Sequence, residues 1–277
     1  MTIQENIPLS AHTTFRTGGR TRFFIEAHTE KDVRDALVFA REKDLPVLVL
    51  GGGSNILADD GECTGVVIKV AVKGIVFEEK GDAVQVRAAA GENWDALVQE
   101  CVARDLWGIE NLSGIPGSVG AAPLQNIGAY RAELKDAFVS LDILDRQTLA
   151  VRTLTREECG FGYRTSIFKE KERDFFLILS VTLALKAHSI PNISYRDLSE
   201  AFKDTPHPSL LEVRQAVLAI RARKFPDIRK EGTAGSFFKN PIVSKEKAGE
   251  LLARYPDLPH FESEGGIKLS LAWVPDK

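Results

Sequence analysis

The sequence has few of the residues that cross-link small secreted proteins or build metal sites. It contains 3 cysteines, Cys63, Cys101 and Cys159, which are far apart, and 5 scattered histidines. An odd number of cysteines without a CxxC pair argues against a disulfide framework and against a structural zinc site. The first residues, MTIQENIPLSAH, lack the basic start and apolar stretch of a secretory signal. We therefore expect a cytoplasmic protein that binds no metal ion.

Long apolar segments and an excess of charge of one sign are also absent. The longest apolar runs, such as residues 46–50, have the length of a β-strand, whereas a membrane span needs about 18 residues. The 36 basic and 39 acidic side chains give a net charge of -3, so no surface for a polyanion is indicated. We expect no membrane partner and no nucleic-acid partner, and we expect a monomer that binds small molecules.

The 277 residues are enough for about two domains at roughly 150 residues each. The spacing of apolar residues predicts a mixed α+β fold with at least one β-α-β crossover rather than a regularly alternating sheet. In that crossover, Thr29 caps a helix that ends near Asp44. The predicted strands are residues 23–25, 47–50, 65–68, 72–77, 83–89, 137–144 and 175–185, and the other helices begin near 94 and 209.

Two glycine-rich segments are typical of loops that contact a ligand through the backbone. The first glycine loop, residues 51–55 (GGGSN), follows a predicted strand, and glycine lets N–H groups approach a phosphate or diphosphate closely. It matches neither the Walker nor the GxGxxG pattern, so a tight strand exit is an equal alternative. The second glycine loop, residues 113–123 (SGIPGSVGAAP), is too long for an ordinary turn, although it would also suit an irregular crossover. Together the two loops fit a long ligand that carries a diphosphate.

Several polar side chains lie in sequence settings that suit an anion or a proton transfer. Arg164 lies among glycines and aromatic residues, where it would stabilise a developing anion or simply fix a loop. Arg221 and Lys224, three residues apart at a predicted helix end, would form an anion clamp. Ser236 presents a hydroxyl for proton transfer or for a turn, and Tyr195 is a further candidate contact.

Seven ordered motifs span almost the whole chain. They are NIPLSAHTTFRTGG (6–19), VLGGGSNIL (49–57), AGENWDALV (90–98), GIENLSGIPGSVGAAPLQNIGAY (108–130), CGFGYRTSIFK (159–169), ISYRDL (193–198) and AGSFFKNP (234–241). In this order they closely resemble the UDP-N-acetylenolpyruvoylglucosamine reductases of bacterial peptidoglycan synthesis. Several uncommon motifs in one order argue against coincidence.

The resemblance implies an FAD-binding fold of the vanillyl-alcohol-oxidase/p-cresol-methylhydroxylase type. Residues 1–70 and 71–190 would be two FAD-binding subdomains, and residues 191–277 a shortened substrate-binding α+β subdomain. NADPH would reduce the flavin and leave, and the enolpyruvyl ether of UDP-N-acetylglucosamine would take its place. Flavin N5 would then deliver hydride to the methylene carbon, a proton would be added at the neighbouring carbon, and UDP-N-acetylmuramate would form.

The same resemblance implies roles for single residues. Arg164 would stabilise the enolate, and Ser236 would protonate it. The residues that would bind uridine diphosphate are Tyr195, Arg221, Lys224 and Asn240, with Tyr163 and Lys239 as weaker candidates. The residues that would hold FAD are Gly51, Gly52, Gly53, Ser54, Asn55, Ile115, Pro116, Gly117, Ser118, Gly120 and Ala121.

One departure from the family concerns its catalytic Glu, which follows a Lys-Leu-Ser segment. Here that segment is Lys268-Leu269-Ser270, and no match for the Glu follows before Lys277. Two other functions therefore stay open. One is a catalytically inactive flavin- or nucleotide-binding protein. The other is a flavin oxidase of the same fold, although no His or Cys in the matching motifs indicates a covalent flavin link.

Overall fold

The first part of the chain forms a mixed four-stranded sheet in a computed structural model. Its strands are β1 (Ile3–Pro8), β2 (Arg20–Ala27), β3 (Val47–Leu50) and β4 (Cys63–Val70). In the order β1-β2-β4-β3, the strands β2, β4 and β3 are parallel and β1 is antiparallel. Helix α1 (Glu30–Glu42) connects β2 to β3. The predicted β-α-β crossover is therefore confirmed, with β4 between its two strands. The structure describes residues 1–169, 175–233, 235, 237–263 and 265–273.

Helix α1 begins as the sequence predicts, with a reciprocal cap at Thr29. The Thr29 hydroxyl accepts a hydrogen bond from the Asp32 N–H at 3.0 Å, and the Asp32 carboxylate accepts one from the Thr29 N–H at 3.0 Å. Two backbone donors at the helix start are thereby satisfied. The residues of α1 that are buried against the sheet follow the helical spacing and are Val33, Ala36, Leu37 and Ala40.

A second sheet, which is antiparallel and has five strands, follows the first sheet. The remaining strands up to residue 186 are β5 (Ile75–Lys80), β6 (Ala83–Ala89), β7 (Gly128–Ala129), β8 (Ala132–Glu133), β9 (Phe138–Asp145), β10 (Val151–Thr155) and β11 (Phe176–Lys186). The sheet order is β10-β9-β11-β6-β5, and β7 pairs with β8 separately. The predicted strands in this region are confirmed. Strand β10 was not predicted, because Leu154 is its only buried residue and an exposed edge strand shows no apolar alternation.

The helices after the first sheet are α2 (Trp94–Ala103), α3 (Leu134–Ala137), α4 (Arg196–Ala201) and α5 (Leu210–Lys224). One apolar core joins both sheets, because Ile68 of β4 and Leu141 of β9 belong to the same buried cluster as Trp94. The Trp94 ring N–H donates to the Leu112 carbonyl at 3.0 Å. Burying the largest side chain of this cluster with its polar atom paired fixes the start of α2.

Residue contacts group the chain into two units, residues 1–233 and 234–277. The elements of the second unit are β12 (Ile242–Val243), α6 (Lys245–Arg254), β13 (His260–Ser263) and β14 (Gly266–Leu269). Its antiparallel sheet has the order β12-β14-β13, and Ala248 of α6 is buried with Ile267 and Leu269 of β14. The division into subdomains 1–70, 71–190 and 191–277 stays a prediction. Within the described ranges, no helix has the length and apolarity needed to cross a bilayer.

The three cysteines are free thiols in different surroundings. Burial raises the pKa of the Cys101 and Cys159 thiols to about 12, whereas Cys63 is partly exposed. Because the thiolate is the reactive form, we predict that a thiol reagent at pH 8 labels only Cys63 in the native protein. Mass spectrometry of labelled peptides checks this, with Cys63→Ser as the control that takes up no label until denaturant is added. Labelling of native Cys101 would contradict the prediction.

Candidate active site

The two glycine loops are in direct contact. The Ser54 hydroxyl of the first glycine loop donates to the Pro116 carbonyl of the second at 2.8 Å. A Cβ atom on Gly52 would lie 2.8 Å from the Cα atom of Gly117, which is backbone and cannot rotate away. The missing side chains therefore let the loops approach each other. This contact was not predicted from the sequence, where approach to a ligand, a tight strand exit and an irregular crossover were the alternatives.

Several backbone N–H groups at this contact donate to no acceptor among the described residues. They belong to Gly52, Gly53, Ser54, Asn55, Gly117 and Ser118. Nearly all buried N–H groups in proteins are paired, and Gly53 and Ser118 are buried. Successive N–H groups of this kind form concavities that bind anions. The place where the loops meet is thus chemically suited to a diphosphate.

The start of α2 holds the second glycine loop in position. The Trp94 N–H donates to the Gly117 carbonyl at 3.1 Å, and the Val119 N–H donates to the Glu92 carbonyl at 2.9 Å. A third bond joins the Gly120 N–H to the Ala90 carbonyl at 2.9 Å. These bonds tie the loop to the segment between β6 and α2, which is anchored in the core by the Trp94 ring.

Arg164 lies in a two-residue turn between Gly162 and Thr165, whose backbones hydrogen-bond to each other in both directions. Its φ angle is 57°, in the left-handed region. The half-buried guanidinium donates to the Gly128 carbonyl at 2.7 Å through one terminal nitrogen. Its other N–H groups have no hydrogen-bond acceptor among the described residues, so they are available to an anion.

Two side chains fasten this turn to the segment that follows the second glycine loop. The Asn126 amide donates to the Gly162 carbonyl at 3.1 Å, and the Ser166 hydroxyl donates to the Leu124 carbonyl at 2.8 Å. Asn126 is buried and has a φ angle of 42°, a backbone conformation that Asn adopts more readily than most residues. The position of Arg164 is therefore coupled to the second glycine loop.

Three residues that were predicted from the sequence as a common binding set lie together. They are Tyr195, Arg221 and Lys224, and we call them the cationic cluster. The Tyr195 ring meets the Tyr130 ring edge to face at 5.2 Å, and the Lys224 ammonium lies 5.8 Å from the Tyr195 ring centroid. Lys224 also forms an ion pair with Asp197. Burial lowers the pKa of Lys224, but the hydrogen bond and charge of Asp197 outweigh this and raise it.

Arg221 joins this cationic cluster to the second glycine loop. Its Nε–H donates to the Gly114 carbonyl at 3.1 Å, and its side chain also interacts with the Tyr130 hydroxyl. Burial lowers the pKa of Arg221 below its usual value, and the opposing effects of Tyr130 and Asp95 do not offset this. Tyr130 follows Gly128, the Arg164 acceptor, by only two residues. The loop contact, Arg164 and the cationic cluster are therefore linked through residues 114–130, and we treat them together as the candidate surface.

The remaining predicted residues belong to the second unit, adjoin Arg164 in its turn or lie outside the described residues. Asn240 and Lys239 belong to the second unit, where the Asn240 side-chain carbonyl accepts from the Leu271 N–H at 2.9 Å. Tyr163 precedes Arg164 in the turn. Ser236 lies outside the described residues.

Three residues that hold these parts in place, Tyr130, Asp95 and Arg214, were not predicted as site residues from the sequence. Tyr130 ends one of the motifs quoted above, and Asp95 lies inside another. Arg214 precedes Arg221 by seven residues on the same helix, which places both side chains on one face. That spacing was the available signal for Arg214.

Comparison with known proteins shows to which family the chain belongs. Residues 21–153 match the model of an FAD-binding domain family, described as "FAD binding domain". The chain is 43% identical over 274 residues to the UDP-N-acetylenolpyruvoylglucosamine reductase of Cupriavidus pinatubonensis, covering 99% of this chain and 81% of the relative. The corresponding protein of Pseudomonas aeruginosa is also 43% identical, with 99% and 82% covered.

Solved structures agree with this relationship. The crystal structure of UDP-N-acetylenolpyruvylglucosamine reductase from Thermus caldophilus superposes with a TM-score of 0.63 at 26% identity, covering 92% of this chain and 80% of that one. The fold is the vanillyl-alcohol-oxidase type of FAD-binding fold, as the resemblance of the motifs implied. With relatives above 40% identity along nearly the whole chain, this protein belongs to the UDP-N-acetylenolpyruvoylglucosamine reductase family.

Proposed function

We propose that this protein reduces the enolpyruvyl group of UDP-N-acetylglucosamine enolpyruvate to UDP-N-acetylmuramate, a step in making the cell-wall precursor. FAD is the bound coenzyme and NADPH is the reductant. One observation carries the proposal. The second glycine loop contacts the first glycine loop through Pro116 and contacts Arg221 through Gly114. A single loop thus supports both a coenzyme diphosphate and the binding of a nucleotide-sugar diphosphate.

The residues present suit FAD. The unpaired N–H groups where the loops meet supply donors for a diphosphate without adding charge. When bound, FAD supplies the hydride that reaches the methylene carbon of the substrate. The chain itself contributes the shape of the pocket, the donors and the cations.

If the loops must touch to hold FAD, a side chain on Gly52 will weaken binding. We predict that Gly52→Ala lowers the affinity for FAD by about tenfold or more, because overpacking at a backbone contact costs roughly 1–3 kcal/mol. Flavin fluorescence during titration of the apoprotein measures the affinity. Gly249→Ala is the matched control, because a Cβ at Gly249 meets nothing within 4 Å. Equal FAD affinity in both variants would contradict the proposed site.

Arg164 supplies the positive charge that the reaction needs. Hydride addition to an α,β-unsaturated carboxylate places negative charge on an enolate, and a fixed cation beside that carboxylate lowers the barrier. The bond to Gly128 restrains the guanidinium before substrate arrives. Such restraint avoids a reorganisation cost during the reaction.

Arg164→Ala is expected to separate the two half-reactions. Oxidation of reduced FAD by the enolpyruvyl substrate should slow by about 10²–10³-fold, the usual effect of removing a group that stabilises an oxyanion. Reduction of FAD by NADPH should stay within about twofold of the original rate, because no enolate forms in that step. Anaerobic stopped-flow spectroscopy follows both steps, with the exposed Arg156→Ala as the control. Equal impairment of both half-reactions would refute this role.

Ser236 is proposed as the proton donor to the enolate, a role that rests on its place in the AGSFFKNP motif. Ser236→Ala should slow oxidation of reduced FAD by substrate about 10²–10⁴-fold, the range of general acid catalysis. Ser189→Ala, an exposed serine outside the motifs, is the control. Near-normal turnover of Ser236→Ala would exclude the proton-donor assignment.

Substrate binding is assigned to the cationic cluster. Tyr195, Arg221 and Lys224 present two cations and an aromatic face, which suit a diphosphate and a uracil ring. Tyr163 and Asn240 complete the proposed set. The same stopped-flow measurement on the unaltered protein tests the overall function. A flavin that NADPH bleaches but the enolpyruvyl substrate never reoxidises would identify an inactive binding protein. The monomeric state and the cytoplasmic location remain predictions.

A further inference from the structure

The carboxylate of Asp95, which is outside the proposed binding set, connects helix α5 to the second glycine loop. Asp95, in the first turn of α2, accepts two hydrogen bonds from the Arg214 guanidinium at 2.7 and 2.9 Å. It also accepts the Gly114 N–H at 2.6 Å. Arg214 itself is 6% exposed. Helices α2 and α5 and the second glycine loop therefore meet at one carboxylate.

The peptide units around Gly114 are held from two sides. The Gly114 N–H donates to Asp95, and the Gly114 carbonyl accepts from the Nε–H of Arg221 at 3.1 Å. Gly114 has a φ angle of 70°, and a Cβ atom there would lie 3.1 Å from two atoms of the Arg221 side chain. The orientation of Gly114 therefore decides where the Arg221 guanidinium lies.

The charges also favour this arrangement. Burial raises the pKa of Asp95, but the Arg214 hydrogen bonds, the Gly114 N–H and the charges of Arg214 and Arg221 outweigh it and lower the pKa. Asp95 is thus ionised at neutral pH. Arg214 neutralises it directly, so Arg221 keeps a positive charge for a ligand while the carboxylate still holds the loop.

We propose that Asp95, with Arg214 as its partner, is a positioning residue that acts through Gly114 to aim Arg221 at the diphosphate of the substrate. This inference rests on the proposed function and adds a residue pair that contacts neither the coenzyme nor the substrate. It predicts that loss of Asp95 weakens nucleotide-sugar binding specifically, because an Arg221 guanidinium that is out of position loses much of its interaction with the ligand.

The test compares Asp95→Asn with the unaltered holoenzyme. The KM for the enolpyruvyl substrate and the dissociation constant for UDP should each rise about tenfold, as expected for groups coupled in one hydrogen-bond network. The rate of FAD reduction by NADPH should change less than about twofold. Asp142→Asn is the matched control, because Asp142 also binds an arginine, Arg87, but lies on the second sheet. A KM and UDP affinity equal to those of the control would overturn the proposal.

A double-mutant cycle decides whether Asp95 acts through Arg221. In an Arg221→Gln background, Asp95→Asn should weaken UDP binding no further than about twofold. A full additional tenfold loss would show an independent role and overturn the proposal. If Asp95→Asn does not yield folded holoenzyme, Arg214→Lys replaces it, since lysine keeps the charge but cannot bind both carboxylate oxygens. An unchanged KM in that variant would overturn the proposal, and a raised KM with normal FAD reduction supports it.

The same measurements separate this proposal from the proposed function. An unaltered holoenzyme that neither turns over the enolpyruvyl substrate nor binds UDP would overturn both. A fully active unaltered enzyme with an unaffected Asp95→Asn variant would overturn only the positioning role.

Discussion

The close approach of two glycine loops is the constraint on which the rest of the site depends. Where Gly52 meets Gly117, no side chain fits between the backbones. This contact brings together N–H groups that have no acceptor among the described residues, and it fixes the second glycine loop, whose Gly114 carbonyl accepts a hydrogen bond from Arg221. The adjoining segment, through Asn126, holds the turn that carries Arg164. A small change in loop spacing would therefore alter both the proposed coenzyme site and the proposed substrate site.

Local signals made much of the fold predictable. The cap at Thr29 and the buried face of α1 depend only on residues that are near each other in the sequence, so the helix could be predicted from the sequence alone. The long strand β11 is apolar and buried at most of its positions. The edge strand β10 shows no such pattern, because all but one of its side chains are exposed and need not be apolar. Sheet order also could not be read locally, since the insertion of β4 between β2 and β3 depends on distant packing.

The candidate site was predictable only in part, for a related reason. Arg221 and Lys224 are close in sequence and lie on one helix end, so their partnership was visible as spacing. The pairing of Asp95 with Arg214 joins residues 119 positions apart, and no local pattern indicates it. The glycines of the first loop were identified, but their contact with the second loop depends on tertiary structure. The resemblance of the motifs indicated the type of reaction, whereas only the tertiary structure shows which contacts hold the candidate residues in position.

At Arg164 the backbone conformation lowers the stability of the folded protein, while the side chain provides a positive charge. Its left-handed φ angle of 57° costs a residue with a Cβ atom about 1 kcal/mol or more. Glycine would relieve that cost. It would also remove the guanidinium that the Gly128 carbonyl restrains. On stability alone glycine would therefore suit this position better, and in the proposed function the arginine exchanges some folding stability for a positive charge at the site.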